Sequence, residues 1–372
     1  MKHHTPLIEG QCRCLEIQGI NADALLISKQ NGNIEFIKSN KGHPSLTFRF
    51  FVFLFNHLRR FRGFTRFGIG VFLKKRLFKI ISKEYRIIEF SGIYDSKLID
   101  YTRIIKSKGK YVTITLWDHY FRDWQEELYK LCDVINVGNY LMKDDFLSVF
   151  PQFTNKIAMA PFGLSQLEML NDMLEGKESI DTSFISKKAK GKVIITIGYS
   201  GRAWHQHFYM IDAIEKLPDE LKNRIFMLFP MTYANSDQHY NAYLLERIRR
   251  TGIPYQILKQ HLSLRQNLSM RILSDVVMNC QVDDGLSASI QEHLMAGSVL
   301  IAGDWLPYKL FREKGAYIHT VSLNDFSTTL CDVLTNLEKE KCKCHINRHV
   351  IYKQSSWNYK GEELQNVYRS LL

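Results

Sequence analysis

From Tyr85 onward, short runs of β-branched and apolar residues alternate with segments whose apolar residues recur at helical spacing. This alternation constrains the fold more than any other feature. Strands joined by helical crossovers pair in parallel, and a parallel sheet needs helices on both faces. In the first half, residues 86–90, 110–116, 133–137 and 156–160 read as strands. Helices are expected at 95–108 and 124–131, the second capped by Asp123. The second half alternates more clearly, with strands at 192–198, 224–230, 254–258, 275–279 and 299–302. Helical patterns fall between them at 207–217, 237–250 and 265–273, and later at 324–337 and 362–371. Before Tyr85 the pattern is weaker: strands at 13–19 and 33–37, with a short helix between them at 21–32.

With 372 residues the chain has room for two domains. The expected fold class is α/β, with two Rossmann-like doubly wound domains. Residues 164–191 break the rhythm: they are polar, mixed in charge and end in the cluster Lys187-Lys-Ala-Lys190. The expected division is therefore 1–165, a linker at 166–190, a second domain at 191–350 and a terminal helical segment at 351–372.

One stretch carries most of the candidate chemistry. Residues 283–308 run Asp-Asp-Gly-Leu-Ser-Ala-Ser-Ile-Gln-Glu-His-Leu-Met-Ala-Gly-Ser-Val-Leu-Ile-Ala-Gly-Asp-Trp-Leu-Pro-Tyr and follow an apolar strand. Gly285 and the small residues Ser287, Ala288 and Ser289 allow a tight turn into a helix. Free amides and the positive dipole end at such a start suit an anion. Asp284 stands before the turn and Glu292 inside the helix. A carboxylate can accept from two neighbouring hydroxyls, which suits a ribose. An acid near a helix start also simply complements the dipole.

A second loop follows the first strand of the second half: Gly198-Tyr-Ser-Gly201-Arg202. It stands where a dinucleotide fingerprint would stand but lacks the Gly-x-Gly-x-x-Gly spacing, so a nicotinamide or flavin is not expected. Arg202 instead offers a planar fork suited to a pyrophosphate. His205 and His207 follow it; each suits a hydrogen bond to phosphate or sugar, or a capping or surface role.

The net charge of +12 points to an anionic partner. The charge is concentrated. From Thr47 to Ile80 there are ten phenylalanines, nine Lys or Arg residues and no acid. Arg59, Arg60, Arg62 and Arg66 lie between two helical patterns, the second at 71–81. Such a segment suits an anionic membrane surface, a core with a solvated rim, or stacking on single-stranded nucleic acid. No nucleic-acid signature accompanies it, so nucleic acid is not an expected partner. Residues 50–58, the longest apolar candidate, are too few to cross a bilayer. Seven cysteines, an odd number, and no leader pattern suggest free thiols in a reducing, intracellular setting. Cys12-Arg-Cys14 and Cys342-Lys-Cys344-His345 lack zinc-knuckle spacing and a second paired half, so no metal site is expected.

Asp284-x7-Glu292, followed by Ala296-Gly297-Ser-Val-Leu-Ile301, resembles the Glu-x7-Glu signature of retaining GT-B glycosyltransferases, with Asp for the first Glu. Gly198 to Arg202 is similar to their phosphate-binding Gly-Arg element. His207 stands where a lysine usually follows the arginine. Pro161-Phe-Gly163 resembles the Pro-x-Gly segment that enters their linker. Asp304 to Tyr308 and Met231-Thr-Tyr233 resemble bacterial surface-polysaccharide transferases. The resemblance implies two Rossmann-like domains facing a cleft, with a nucleotide-sugar donor on the second and a glycan acceptor, lipid-linked, on the first. It implies a final helix that packs back on the first domain. It implies donor contacts from Gly201, Arg202, His207, Gly285, Ser287, Ala288, Ser289 and Glu292. Asp284 would orient the sugar, and His119, in Trp117-Asp118-His119, would contact it. Arg202 and the turn amides would steady the leaving diphosphate without a metal or other cofactor. The cytoplasmic face of the membrane is the expected location, with Arg59, Arg60, Arg62 and Arg66 on the acceptor or membrane surface. A nucleotide-sugar epimerase of similar fold and a non-catalytic partner subunit are the alternatives.

Overall fold

The computed structural model describes residues 22, 24–27, 34–37, 52–54, 56–57, 69–116, 121–160, 163–233 and 237–372. The chain divides into two compact units, Met1–Ser165 with Trp357–Leu372, and Gln166–Ser356.

In the first unit, β1 (Ala24–Ile27) and β2 (Ile34–Ile37) form an antiparallel pair with Ala24 opposite Ile37 and Ile27 opposite Ile34. The helix expected at 21–32 is therefore corrected. Ala-Leu-Leu-Ile has no helical period, and a neighbouring Ile-Glu-Phe-Ile segment gives it a pairing partner. The strand expected at 13–19 lies outside the described residues. A four-stranded parallel sheet follows in the order β3 (Ile87–Ser91), β4 (Tyr111–Thr115), β5 (Val134–Asn136), β6 (Ile157–Ala158). The helix Ile69–Glu84 buries Leu73, Leu77, Phe78 and Ile81, a seam at helical spacing, against this unit's core. Its outer face leaves Phe72 56% exposed beside Arg76, whose guanidinium lies 5.3 Å from the ring centroid.

The final helix, Trp357–Arg369, completes the first unit. The Trp357 ring lies against Gly163, where a Cβ would come within 2.5 Å of it. Tyr368 hydrogen-bonds Glu89 of β3, and Thr115 of β4 donates to the same carboxylate at 2.7 Å. Asn136 closes the end of β5 against Ala160 with a reciprocal pair of 2.8 Å hydrogen bonds.

The second unit holds β7 (Val193–Ile197), β8 (Ile225–Pro230), β9 (Tyr255–Leu258), β10 (Val276–Asn279), β11 (Val299–Gly303) and β12 (His319–Val321). All pair in parallel, in the order β12-β11-β10-β7-β8-β9. β8, β10 and β11 are buried along their whole length, as strands covered on both faces must be. Counted within the unit this is the doubly wound order, in which the winding direction reverses between the first and fourth strands. Those strands are β7 and β10. The loops leaving their carboxyl ends begin at Gly198 and Cys280.

Residues 166–190 do more than connect. They supply the helix Gln166–Leu174, with Leu167, Leu170 and Met173 buried, and a turn at Lys187–Ala189. The helix Leu337–Ser355 has no counterpart among the expected elements. It is held by polar side chains: Asn347 brackets Tyr317 by accepting from its N–H at 2.6 Å and donating to its C=O at 2.9 Å. Glu340 accepts from Tyr317, His319 and Lys343. No helix among the described residues is long and apolar enough to cross a membrane.

Candidate active site

The two loops expected to cooperate lie side by side at the reversal point. Gly198 N–H donates to Met278 C=O at 3.0 Å, and Val282 N–H to Trp204 C=O at 3.0 Å. Tyr199 and Gln281 join the loops through their side chains at 2.9–3.1 Å. Trp305 braces them by donating Nε1–H to the Gln281 carbonyl at 2.9 Å.

Gly198 takes φ +62°, and a Cβ there would lie 3.2 Å from His205 Nδ1 and 3.2 Å from His207 Nε2. Glycine meets both demands, the left-handed backbone and the close approach of two rings. Among the described residues, only Gln206 (φ 53°) and Leu286 (φ 64°) take positive φ without being glycine. One lies on each loop. Strain of this kind costs about 1–3 kcal/mol and persists where the surroundings enforce it. At Leu286 the enforcement is visible: Gln291 Nε2 donates to its carbonyl at 2.7 Å.

Asp284 is buried and its carboxylate builds the turn. Oδ1 accepts from Ser287 N–H at 2.8 Å, and Oδ2 accepts from Tyr308 Oη–H and from Asn279 Nδ2 at 3.3 Å. Asn279 also donates to Tyr308 Oη at 2.9 Å. Burial pushes the Asp284 carboxyl up to about 6, against the pull of the hydrogen bonds from Tyr308 and Ser287. Ser287 caps the helix Ala288–Ala296 by accepting from Ile290 N–H, and Gly297 ends it at φ 88°. With the Ser287 amide given to Asp284, the amides of Ala288 and Ser289 are the ones left at the helix start.

Glu292 is also buried, and both its oxygens are held: Oε1 accepts from Gln166 Nε2 at 2.9 Å and Oε2 from Arg271 Nε at 3.0 Å. Arg202 contrasts with it. Its side chain is exposed and makes no hydrogen bond or ion pair among the described residues. Arg202, Arg271, Asp284 and the Ser200 hydroxyl all act on the Tyr233 phenol, which burial pushes up while the guanidinium groups of Arg271 and Arg202 hold it down. Gly201 N–H donates to the Tyr233 carbonyl at 3.0 Å, which ties the loop after β7 to the loop after β8.

His207 does not face solvent as a lysine there would. It is buried, with Nδ1 2.8 Å from Tyr240 Oη. Burial lowers it to about 4 and lowers His205, which also feels His207 and Arg202, to about 3. Both imidazoles are neutral at pH 7. Among the described residues, His205 Nδ1 and His207 Nε2 are buried without a hydrogen-bond partner.

The sequence-predicted residues Gly201, Arg202, Asp284, Gly285, Ser287, Ala288, Ser289 and Glu292 therefore fall on the two loops and the helix that follows the second, and His207 opens the helix His207–Glu215 that follows the first. His119, Pro161 and Arg59, Arg60, Arg62 and Arg66 lie outside the described residues. The supports Tyr199, Arg271, Asn279, Gln281 and Tyr308 were not among the expected site residues. Trp305 and Tyr308 stood inside the central stretch, but only the folded arrangement gives them partners. No group of three or more His, Cys, Asp or Glu side chains suited to a metal ion occurs among the described residues.

No protein-family model matches the sequence, and no curated protein does. Solved structures match the fold. A trehalose 6-phosphate synthase from Burkholderia multivorans superimposes with a TM-score of 0.64 at 14% identity, over 94% of this chain and 86% of that one. The UDP-forming trehalose-phosphate synthase from Burkholderia xenovorans, crystallised with glucose-6-phosphate, gives 0.64 at 12%, over 94% and 90%. HepE from Anabaena, crystallised with UDP and glucose, gives 0.61 at 11%, over 82% and 83%. The fold is GT-B. The expected fold class is thus observed, and in GT-B terms the second unit is the Rossmann-like domain that carries both candidate loops.

Proposed function

We propose that this protein is a glycosyltransferase whose second unit binds a nucleotide-sugar donor. The observation that carries the proposal is that an exposed Arg202 and the start of the helix Ala288–Ala296 stand on the two hydrogen-bonded loops that flank the reversal point of a doubly wound sheet. Arg202 and the amides of Ala288 and Ser289 offer positive charge to a diphosphate. Glu292 offers a carboxylate to a ribose, and Asp284 holds the turn that faces the sugar. Structural neighbours were crystallised with UDP, UDP-glucose and glucose-6-phosphate, which supports a nucleotide-sugar donor and a sugar acceptor. In this reading Arg202 does the charge neutralisation that a divalent cation does in other transferases, and transfer is metal-independent.

The acceptor we propose is a lipid-linked glycan of bacterial surface polysaccharide synthesis, glycosylated with retention at the cytoplasmic membrane face. Support comes from the basic, phenylalanine-rich stretch and from the outer face of the helix Ile69–Glu84. There Phe72, Lys75, Arg76 and Lys79 line a groove with Ile104 of the neighbouring helix. Cations around an exposed aromatic ring suit an anionic bilayer surface.

Calorimetric titration with UDP, ADP and GDP, followed by transfer assays with the matching sugar donors, tests the proposal. Binding of one nucleotide diphosphate, weakened at least about tenfold by Arg202→Ala, is expected. A folded protein that binds none of them, and turns over no donor, overturns it. Transfer unaffected by EDTA tests metal independence, and the anomeric configuration of the product tests retention.

A further inference from the structure

Arg202 stands among exposed apolar side chains that the packing of the second unit does not use. Trp204 lies two residues on, in the turn Ala203–His205, and is 42% exposed. Val282, which gives its N–H to the Trp204 carbonyl at 3.0 Å, is 48% exposed. Tyr233, which accepts the Gly201 N–H at its carbonyl, is 45% exposed. Its phenol end is shielded and feels Arg271 and Arg202, so the ring is the open part. The three residues come from the loops after β7, β10 and β8. Single exposed apolar residues are ordinary on a surface, but three on hydrogen-bonded loops around one arginine make a patch. Polar side chains of the same loops are committed to one another: Gln281 with Tyr199 at 2.9–3.1 Å, and Asp284 with the Ser287 N–H at 2.8 Å. Trp204 and Val282 together offer carbon surface, one side-chain donor in the indole N–H, and no side-chain acceptor.

We infer that Trp204, Tyr233 and Val282 form an apolar collar that selects the transferred sugar, and that this sugar is a 6-deoxyhexose. This rests on the proposed binding of a nucleotide-sugar diphosphate at Arg202. With the diphosphate on Arg202, a collar around that residue meets the part of the sugar nearest the phosphates. That part is C1, the substituent on C2, and C6 on the far side of the ring oxygen. Val282 also stands two residues before Asp284, beside the turn that faces the sugar. Aromatic faces and a branched aliphatic side chain pack well on C–H groups and on a methyl. A C6 hydroxyl pressed against them gives up water for a surface without an acceptor, and a buried hydroxyl left unpaired is costly. An N-acetyl group brings a methyl too, but with an amide donor and acceptor that need partners. The C6 methyl of a 6-deoxyhexose brings no polar atom.

The test uses the full chain and calorimetric titration with UDP, ADP and GDP, followed by sugar derivatives that differ only at C6. The pairs are UDP-glucose and UDP-6-deoxyglucose, ADP-glucose and ADP-6-deoxyglucose, and GDP-mannose and GDP-6-deoxymannose. In the pair that carries the preferred nucleotide, the 6-deoxy member is expected to bind at least about tenfold more tightly. Trp204→Ala and Val282→Asn are expected to bring that ratio towards one, while the affinity for the bare nucleotide diphosphate changes less than about threefold. Trp204→Phe keeps an aromatic face and should keep most of the preference. A merely structural role would lower the affinity for the bare nucleotide as well and leave the ratio standing. Both positions are exposed, so the variants are expected to fold, which circular dichroism checks. Equal binding within the pair, tighter binding of the 6-hydroxyl member, or an unchanged ratio in folded Trp204→Ala overturns the inference while donor binding stands. Failure of every nucleotide to bind overturns both.

Discussion

Tyr308 gives its phenolic hydrogen to Asp284, and both side chains are closed off from solvent. The acid that the sequence offers as a sugar-facing group is thus also the post on which its own turn is hung. Tyr308→Phe leaves Oδ2 of Asp284 with Asn279 as its remaining partner and costs about 1–3 kcal/mol, measured by urea denaturation. Asp284 should titrate higher still in that variant, because a hydrogen bond that lowers it is gone. Unchanged stability would mean that the Tyr308–Asp284 contact contributes nothing.

Thermal stability should fall on the acid side. In the folded chain His205 titrates at about 3 and His207 at about 4, both lowered by burial from 6.5. Between pH 7 and about 4 the unfolded chain gains a proton at each of them and the folded chain does not, so stability is lost. Asp284, raised to about 6, works in the opposite direction. Between pH 6 and about 4 the folded chain binds a proton there that the unfolded chain lacks, which returns part of the loss. Melting curves from pH 7 to 4 should therefore show a falling Tm. His205→Gln should flatten the fall and Asp284→Asn should steepen it.

Gly198→Ala places a methyl group against two imidazoles in a left-handed backbone. A loss of about 1–3 kcal/mol is expected in chemical denaturation. Nucleotide affinity should fall with it, because Ser200 to Arg202 continue from that turn. Gly176→Ala, also at positive φ but with open space around it, serves as the control for backbone strain alone.

Binding to vesicles should separate the membrane proposal from a plain basic surface. Neutralising Lys75, Arg76 and Lys79 to Gln, or Arg59, Arg60, Arg62 and Arg66 to Gln, should weaken sedimentation with anionic vesicles and reduce its salt dependence. Phe72→Ser should weaken it without changing the salt slope. Equal binding by wild type and all variants would remove the membrane surface from the proposal.

The alternation of strands and helices was legible because each buried strand of the second unit is a short apolar run. The order of the strands was not, since register depends on partners far apart in sequence. The same holds within the site. Asp284, Ser287 and Glu292 sit in one stretch and share one local pattern. The partners that define Glu292 lie 21 positions away at Arg271 and 126 away at Gln166. The helix Leu337–Ser355 escaped notice because Glu340 and Asn347 are buried by hydrogen bonds, which leave no apolar period to read. At 21–32 the apolar run is too short to match either period cleanly, and pairing with β2 makes it a strand.

The return of the helix Trp357–Arg369 to the first unit has a consequence for synthesis. Gly163 meets Trp357, and Glu89 meets Tyr368, only after the whole of Gln166–Ser356 has left the ribosome. The first half emerges early but stays open at that seam, while the second unit can close on itself as soon as its last helix appears. Biogenesis therefore runs against chain order: the later unit is the first that can be finished, and the earlier one waits for the last segment to seal it.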